Sequence, residues 1–274
     1  MKTHKFAPVC GVLFLAMVSG GCGKYIDMLK ARDQLNKGVA SFRNAAFQPA
    51  IDHFQQAVAL DPKLINARLY LAMSYFQQYV PGGESDENVK MAKQAIAKFE
   101  DVLKMDPNNS TALATIALIY YNLKDFDKAK EYQKRRLEVE PNNPEPYYWI
   151  GVLNWSICFP RRMQLRKDLK INLPKDPAKP DVLPPLPEKV RAELAEKNSA
   201  LIDEAIKSLQ KAIELRPNYD DAMAYLSLME REKADLEPDK SAQAADIQEA
   251  ETWVQKALDT RKQVAEKASS GVVK

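Results

Sequence analysis

The chain has 274 residues, with 40 lysines and arginines against 37 aspartates and glutamates, for a formal net charge of +3. That length suffices for one large domain or for a repeat array with a substantial core. The near balance provides no global field for nucleic acid or for an anionic membrane surface, so no nucleic-acid partner is expected.

Residues 1–21 read as an export signal. Lys2 and Lys5 form a short basic start, and Phe6 to Val18 is an uncharged, mostly apolar run of 13 residues. Such a run is short for a bilayer span but suits the core of a signal peptide. Ser19, Gly20 and Gly21 then lead into Cys22. The stretch resembles the lipobox of bacterial lipoproteins, with Ser19 where that family carries Leu or another aliphatic residue. The resemblance implies lipidation of Cys22 as the mature N-terminus, and hence a membrane contact through an N-terminal lipid. Gly23, where Asp would signal retention, implies an outer-membrane lipoprotein facing the periplasm of a bacterial cell envelope. Ordinary cleavage near Gly20 and a plain N-terminal anchor are the other readings of the same residues. Residues 22–29 are expected to be a short tether. Cys10 lies inside the signal, so Cys158 has no partner in a mature chain and no disulfide framework is expected.

From there on the chain repeats itself. Ala50, Phe54, Ala57 and Pro62 recur as Ala95, Phe99, Val102 and Pro107, as Ala129, Gln133, Arg136 and Pro141, and as Ala205, Leu209, Ala212 and Pro217. Offsets of four and three put the first three residues of each set on one helical stripe. The proline cannot continue a helix and so fixes a turn just past its end. Upstream of the copies lie partner helices, GVASFRNAAF from Gly38, ARLYLAMSYF from Ala67, ALATIALIYYNLKDF from Ala112 and PYYWIGVLNW from Pro146. Gly38, Ala72, Ala117 and Gly151 permit close approach of two helices. This layout resembles the tetratricopeptide repeat, a helix–turn–helix unit with a period of about 34 residues.

Pro107 and Pro141 are one such period apart, 34 residues, while the intervals before and after exceed it by 11 and 42 residues. Both excesses fall between the two helices of a repeat. The expected fold is therefore an all-α right-handed solenoid over residues 30–265. Its repeats run at about 31–64, 65–109, 110–143, 144–219 and 220–262, with inserts at about 79–89, 157–198 and 235–244. Residues 266–274 are expected to be a disordered tail.

In tetratricopeptide domains a stripe of each repeat's first helix lines the concave surface. Carried onto this chain, the stripe supplies Leu35 and Phe42 from the first repeat, and Asn66, Leu69, Met73 and Phe76 from the second. The third supplies Leu118, Tyr121 and Asn122, and the fourth Tyr148, Val152 and Trp155. These side chains suit an extended or helical peptide, the amides pairing with its backbone. Core packing is the competing role for any of them. The Lys/Asn clamp by which chaperone-binding members hold a C-terminal carboxylate is absent, since Leu35 and Val39 stand at the matching places.

The long insert opens with PRRMQLRKDLK, five bases from Arg161 to Lys170 against Asp168, expected to form a solvated polar face. A proline-rich stretch with Pro174, Pro177, Pro180, Pro184, Pro185 and Pro187 follows, which excludes helix and favours extended segments. Catalytic signals are lacking. His53 is the one histidine past the signal and sits on a helix, no Cys/His cluster has metal-ligand spacing, and no phosphate-binding glycine loop occurs. The acidic GGESDE at Gly82–Glu87 lacks the spacing of a calcium loop. No enzyme, cofactor or metal is expected. The expected function is an envelope-anchored interaction scaffold that holds a peptide or protein segment. The alternative is a soluble periplasmic adaptor for cell-wall or secretion enzymes.

Overall fold

The computed structural model describes residues 10–171 and 185–271, with side chains from Gly23 through Ser269 outside that gap. Ten helices make up the described residues: α1 Cys10–Arg43, α2 Phe47–Leu60, α3 Ile65–Gln78, α4 Asp86–Leu103, α5 Ser110–Asn122, α6 Phe126–Val139, α7 Pro144–Asp168, α8 Glu188–Leu215, α9 Asp220–Ala234 and α10 Lys240–Gly271. No strand occurs among them. The architecture is all-α, of the tetratricopeptide solenoid class. The chain divides into two units, Met1–Ile119 and Tyr120–Lys274.

In the first unit, α1 pairs with α2 and α3 with α4. Gly38 of α1 faces the Phe54 ring of α2 so closely that a Cβ there would collide with it. Phe54 stacks on Tyr70 of α3 at 5.5 Å, and both Phe54 and Phe99 are fully buried. Removing either ring costs about 3–5 kcal/mol, the usual loss for a large core aromatic. In the second unit Gly151 of α7 makes the same approach to Leu209 of α8. Pro62, Pro107, Pro141 and Pro217 all sit in turns between helices. Ser85, Asp125 and Asn143 cap α4, α6 and α7, each accepting from a backbone N–H of the first turn. Such caps satisfy amides that would otherwise lack partners.

The inserts fall where α3 meets α4, α7 meets α8 and α9 meets α10. The 79–89 insert is a short loop closed by an amide. Buried Asn88 accepts from Val80 N at 2.8 Å and donates to the Val80 and Gly83 carbonyls at 2.8 and 2.7 Å. The described residues of the 157–198 insert are largely helix, because α7 runs through Pro160 to Asp168 and α8 begins at Glu188. Proline inside a helix loses one backbone hydrogen bond and typically costs about 3 kcal/mol. Here the turns beyond Pro160 are fastened elsewhere. Arg162 Nη1 lies 2.6 Å from Asp235 Oδ2, its Nη2 lies 2.8 Å from Glu232 Oε1, and Arg166 Nη2 lies 2.8 Å from Asp235 Oδ1. Arg162 and Arg166 are 7 % and 1 % exposed, so this part of the basic run is buried and not a solvated face. The periodic pattern could not show this, since the acidic partners lie at the far end of α9.

The other boundaries also shift. Residues 22–29, expected as a tether, are helical within α1. The 235–244 insert is a turn followed by the first residues of α10, and that helix continues to Gly271 through most of the expected tail. The signal residues 1–9, the side chain of Cys22, and Pro174, Pro177, Pro180 and Pro184 lie outside the described residues.

Candidate functional site

The expected contact residues are distributed over both units. In the first, Leu35 and Phe42 of α1 pack against the core of Ala50, Ile51, Phe54 and Leu71. Phe42 also meets Phe47 and Tyr70 edge-on at 5.6 and 6.0 Å. Both are half-buried, as Tyr148, Trp155 and Tyr225 are against the core of the second unit. Asn66 is exposed at the start of α3, while Leu69, Met73 and Phe76 of the same helix are half-buried. Leu118 of α5 is half-buried as well.

The second unit gathers its members into one aromatic wall. Tyr121 at the end of α5 meets Trp149 edge-on at 5.3 Å, and Trp149 meets Tyr148 at 5.8 Å. Tyr148 meets Tyr225 of α9 at 5.6 Å, Tyr225 meets Trp155 at 5.6 Å, and Trp155 stacks on Phe159 at 4.9 Å. All six are half-buried, so each ring is partly packed and partly open. Asn122 beside Tyr121 is half-buried too. Val152, at 2 % exposure, is closed off and belongs to the core. Edge-on and offset ring pairs add about 0.5–1.5 kcal/mol each beyond their burial, which keeps such a wall rigid.

Trp149, Phe159 and Tyr225 were absent from the expected set. Trp149 and Tyr225 each follow a turn proline, Pro141 and Pro217, by eight residues. That shared offset could have found them, because it places one ring from each of two successive first helices on adjoining surfaces.

Behind the wall α7 is held by polar contacts. Fully buried Asn154 donates to the Leu201 carbonyl and to Glu204 of α8, and accepts from Lys130 of α6 at 2.9 Å. Lys130 and Lys134 lie 3.0 and 2.7 Å from the Glu204 carboxylate. Burial works against ionising Glu204, but Lys134, Asn154 and Lys130 outweigh it and hold the carboxyl down at about 2. At one edge Tyr219 donates to Glu145 Oε2 at 2.9 Å, with Arg216 at 2.7 Å from Glu145 Oε1. Burial first, and then nearby carboxylates and phenols, push Tyr148, Tyr219 and Tyr225 upward, so they stay neutral hydrogen-bonding phenols. The indole N–H of Trp155 is buried with no hydrogen-bond partner among the described residues. An unmet donor of this kind costs about 1–3 kcal/mol.

The arrangement offers stacking surface, apolar area and neutral donors. His53 Nδ1 lies 2.8 Å from Gln34 Oε1 and joins α2 to α1. Cys158 is a free, fully buried thiol that burial pushes up to about 12, which suppresses its thiolate. Among the described residues no group of His, Cys, Asp and Glu could hold a metal ion. Nor is any described helix long and apolar enough to cross a membrane.

Models of the tetratricopeptide repeat match residues 66–109, 90–149 and 194–219. Among curated proteins, the Interferon-induced protein with tetratricopeptide repeats 2 of Cricetulus griseus is 25 % identical over 182 residues, 66 % of this chain and 31 % of the relative. The Hsp70-Hsp90 organizing protein of Triticum aestivum is 26 % identical over 122 residues, 44 % of this chain and 19 % of the relative. The chain thus spans less than a third of the length of these relatives. Among solved structures, MamA from Desulfovibrio magneticus RS-1 superposes with a TM-score of 0.54 at 14 % identity, covering 85 % of this chain and 96 % of that one. YrrB, described as a TPR protein with an unusual peptide-binding site, superposes with a TM-score of 0.50 at 16 % identity, covering 84 % of this chain and 90 % of that one. These likenesses carry the fold. The chain is therefore built from tetratricopeptide repeats across residues 66–149 and 194–219, as its spacing of helices and turn prolines implied.

Proposed function

We propose that the protein is an envelope-anchored scaffold that holds a peptide or protein segment against the aromatic wall of its second unit. The observation that carries this reading is the run of six half-open rings from Tyr121 to Phe159, tied together at centroid separations of 4.9–5.8 Å. Aromatic side chains of this kind contribute large contact area at low entropic cost, and their hydroxyl and indole groups pair with a peptide backbone. The peptide-binding description of YrrB and the chaperone-organising relative support it by analogy of repeat. No catalytic role and no cofactor are proposed. The anchor is a lipid on Cys22, with the chain on the outer membrane facing the periplasm, supported by the basic, apolar and small-residue order of residues 2–22.

Two measurements test the reading. An affinity capture from envelope extracts compares the wild type with Tyr121→Glu plus Tyr225→Glu, the variant's helicity being checked by circular dichroism. The partner set should lose a discrete member; an identical set from a folded variant would exclude the wall. Fatty-acid labelling in cells should be lost on Cys22→Ala. Absence of label in the wild type would favour the soluble periplasmic adaptor.

A further inference from the structure

The first turns of α1 with described side chains carry a cluster that the fold leaves bare. Tyr25, Ile26, Met28 and Leu29 are 65, 48, 37 and 50 % exposed. The other large exposed apolar side chains, such as Val80, Met105 and Leu258, stand singly along the chain. Single exposed apolar residues are ordinary, whereas a contiguous group marks a contact surface. Farther along α1 one stripe is already used, and Met28 lies on its continuation while Tyr25, Ile26 and Leu29 lie off it. Ala31 is fully buried, Gly38 abuts Phe54, and Leu35 and Phe42 pack on the first unit's core. The cluster also ends abruptly, because the exposed positions that follow are Lys30, Arg32, Asp33, Asn36 and Lys37.

We infer that Tyr25, Ile26, Met28 and Leu29 lie in the head-group layer of the membrane, with Lys24, Lys30 and Arg32 reaching its phosphates. Three features select lipid as the occupant. Cys22, the proposed lipid site, stands three residues before Tyr25, so the cluster is the part of the chain nearest that lipid. The three bases stand on both sides of the cluster, against Asp27 within it; Asp33 is occupied by Lys37 at 2.7 Å. A tyrosine next to aliphatic residues, flanked by long basic side chains, matches the polarity gradient of an interface, where apolar bodies sink and charged ends stay wet. Among the described residues no helix is long and apolar enough to cross a membrane. This inference rests on the membrane association proposed above and adds a protein surface to it. It orients α1 at the bilayer and holds the first unit close to it.

The test uses the full chain on vesicles of phosphatidylethanolamine and phosphatidylglycerol, with brominated lipid as quencher. Tyr25→Trp and Lys37→Trp each add one indole, read as the difference from the parent, whose tryptophans Trp149, Trp155 and Trp253 all lie in the second unit. The indole at position 25 should shift to the blue and lose most of its emission to brominated lipid; the one at 37 should keep its emission. Tyr25→Glu plus Leu29→Glu should lower the vesicle-bound fraction several-fold in the Cys22→Ala background. A chain that sediments with vesicles yet keeps the emission at 25 would overturn the inference while leaving the anchor standing. A chain that stays in solution would overturn it too, and labelling of Cys22 then decides the anchor separately. Self-association that Tyr25→Glu abolishes, with no quenching, would assign the cluster to a second copy and overturn it as well. Absence of fatty-acid label in a wild-type chain whose position 25 is still quenched would reject the lipid anchor and keep the surface.

Discussion

Two of the inserts that interrupt the repeats are closed in opposite ways. In the first unit the loop after α3 is gathered by one neutral amide, Asn88, which makes three hydrogen bonds to Val80 and Gly83. In the second unit the described residues of the long insert extend α7 and α8, and α7 is fastened beyond Pro160 by Arg162 and Arg166 on Glu232 and Asp235. A short insert needs only its backbone groups satisfied. A long one must find a packing surface, and here the surface is reached by pairing buried charges with the end of α9. The difference separates a local closure from a long-range one, and each can be broken on its own.

The largest effect is expected at Asp235, the carboxylate that both guanidiniums share. Asp235→Ala should destabilise the chain by about 3–5 kcal/mol in urea unfolding, since it leaves buried positive charge undercompensated. Replacing Arg162, Arg166, Glu232 and Asp235 together by apolar residues of similar size should cost less than that single change. A larger loss for the quadruple variant would show that the pairs stabilise the fold outright. At Asn88 the effect should be smaller and local. Asn88→Ala should cost about 1–3 kcal/mol, the usual penalty for buried groups left unpaired, and hydrogen exchange at the Val80 amide should accelerate while the second unit is unchanged. Unaltered exchange at Val80 would mean that the loop is held by something else.

The third expectation concerns pH. Burial pushes Glu232 from 4.5 up to about 7, against the pull of Arg162. Its folded value lies above its unfolded one, so its favourable contribution is complete below about pH 4.5 and is lost as the pH rises through about 7. Unfolding free energies of the wild type and Glu232→Gln, taken across that window, should therefore shift in favour of the variant as pH rises. A constant difference would show that Glu232 does not titrate there. Asn88 carries no charge, so Asn88→Ala should shift stability equally across the same window.

The solenoid was legible because its signals are local. Turn prolines, stripes of Ala and Phe, and the small residues Gly38 and Gly151 act within one helix pair, and the structure places them as their spacing implied. The same register named Tyr121, Tyr148 and Trp155, which the structure links through the rings of Trp149 and Tyr225. Trp149 and Tyr225 needed a comparison between repeats, and Arg162 needed a partner 73 residues away, which no periodicity encodes. Val152 fits the groove pattern but is closed off, because a helix stripe has an edge that the paired helix covers.

The central claim is that the ring wall of the second unit holds another polypeptide. A photo-crosslinking side chain placed at Tyr121, on the wall, and separately at Lys207, exposed on α8, tests it most directly in intact cells. The claim predicts a discrete adduct from position 121 that disappears when Tyr225 is changed to Glu in the folded chain, and none of that size from position 207. Equal adducts from both positions, or an adduct at 121 indifferent to Tyr225, would contradict it.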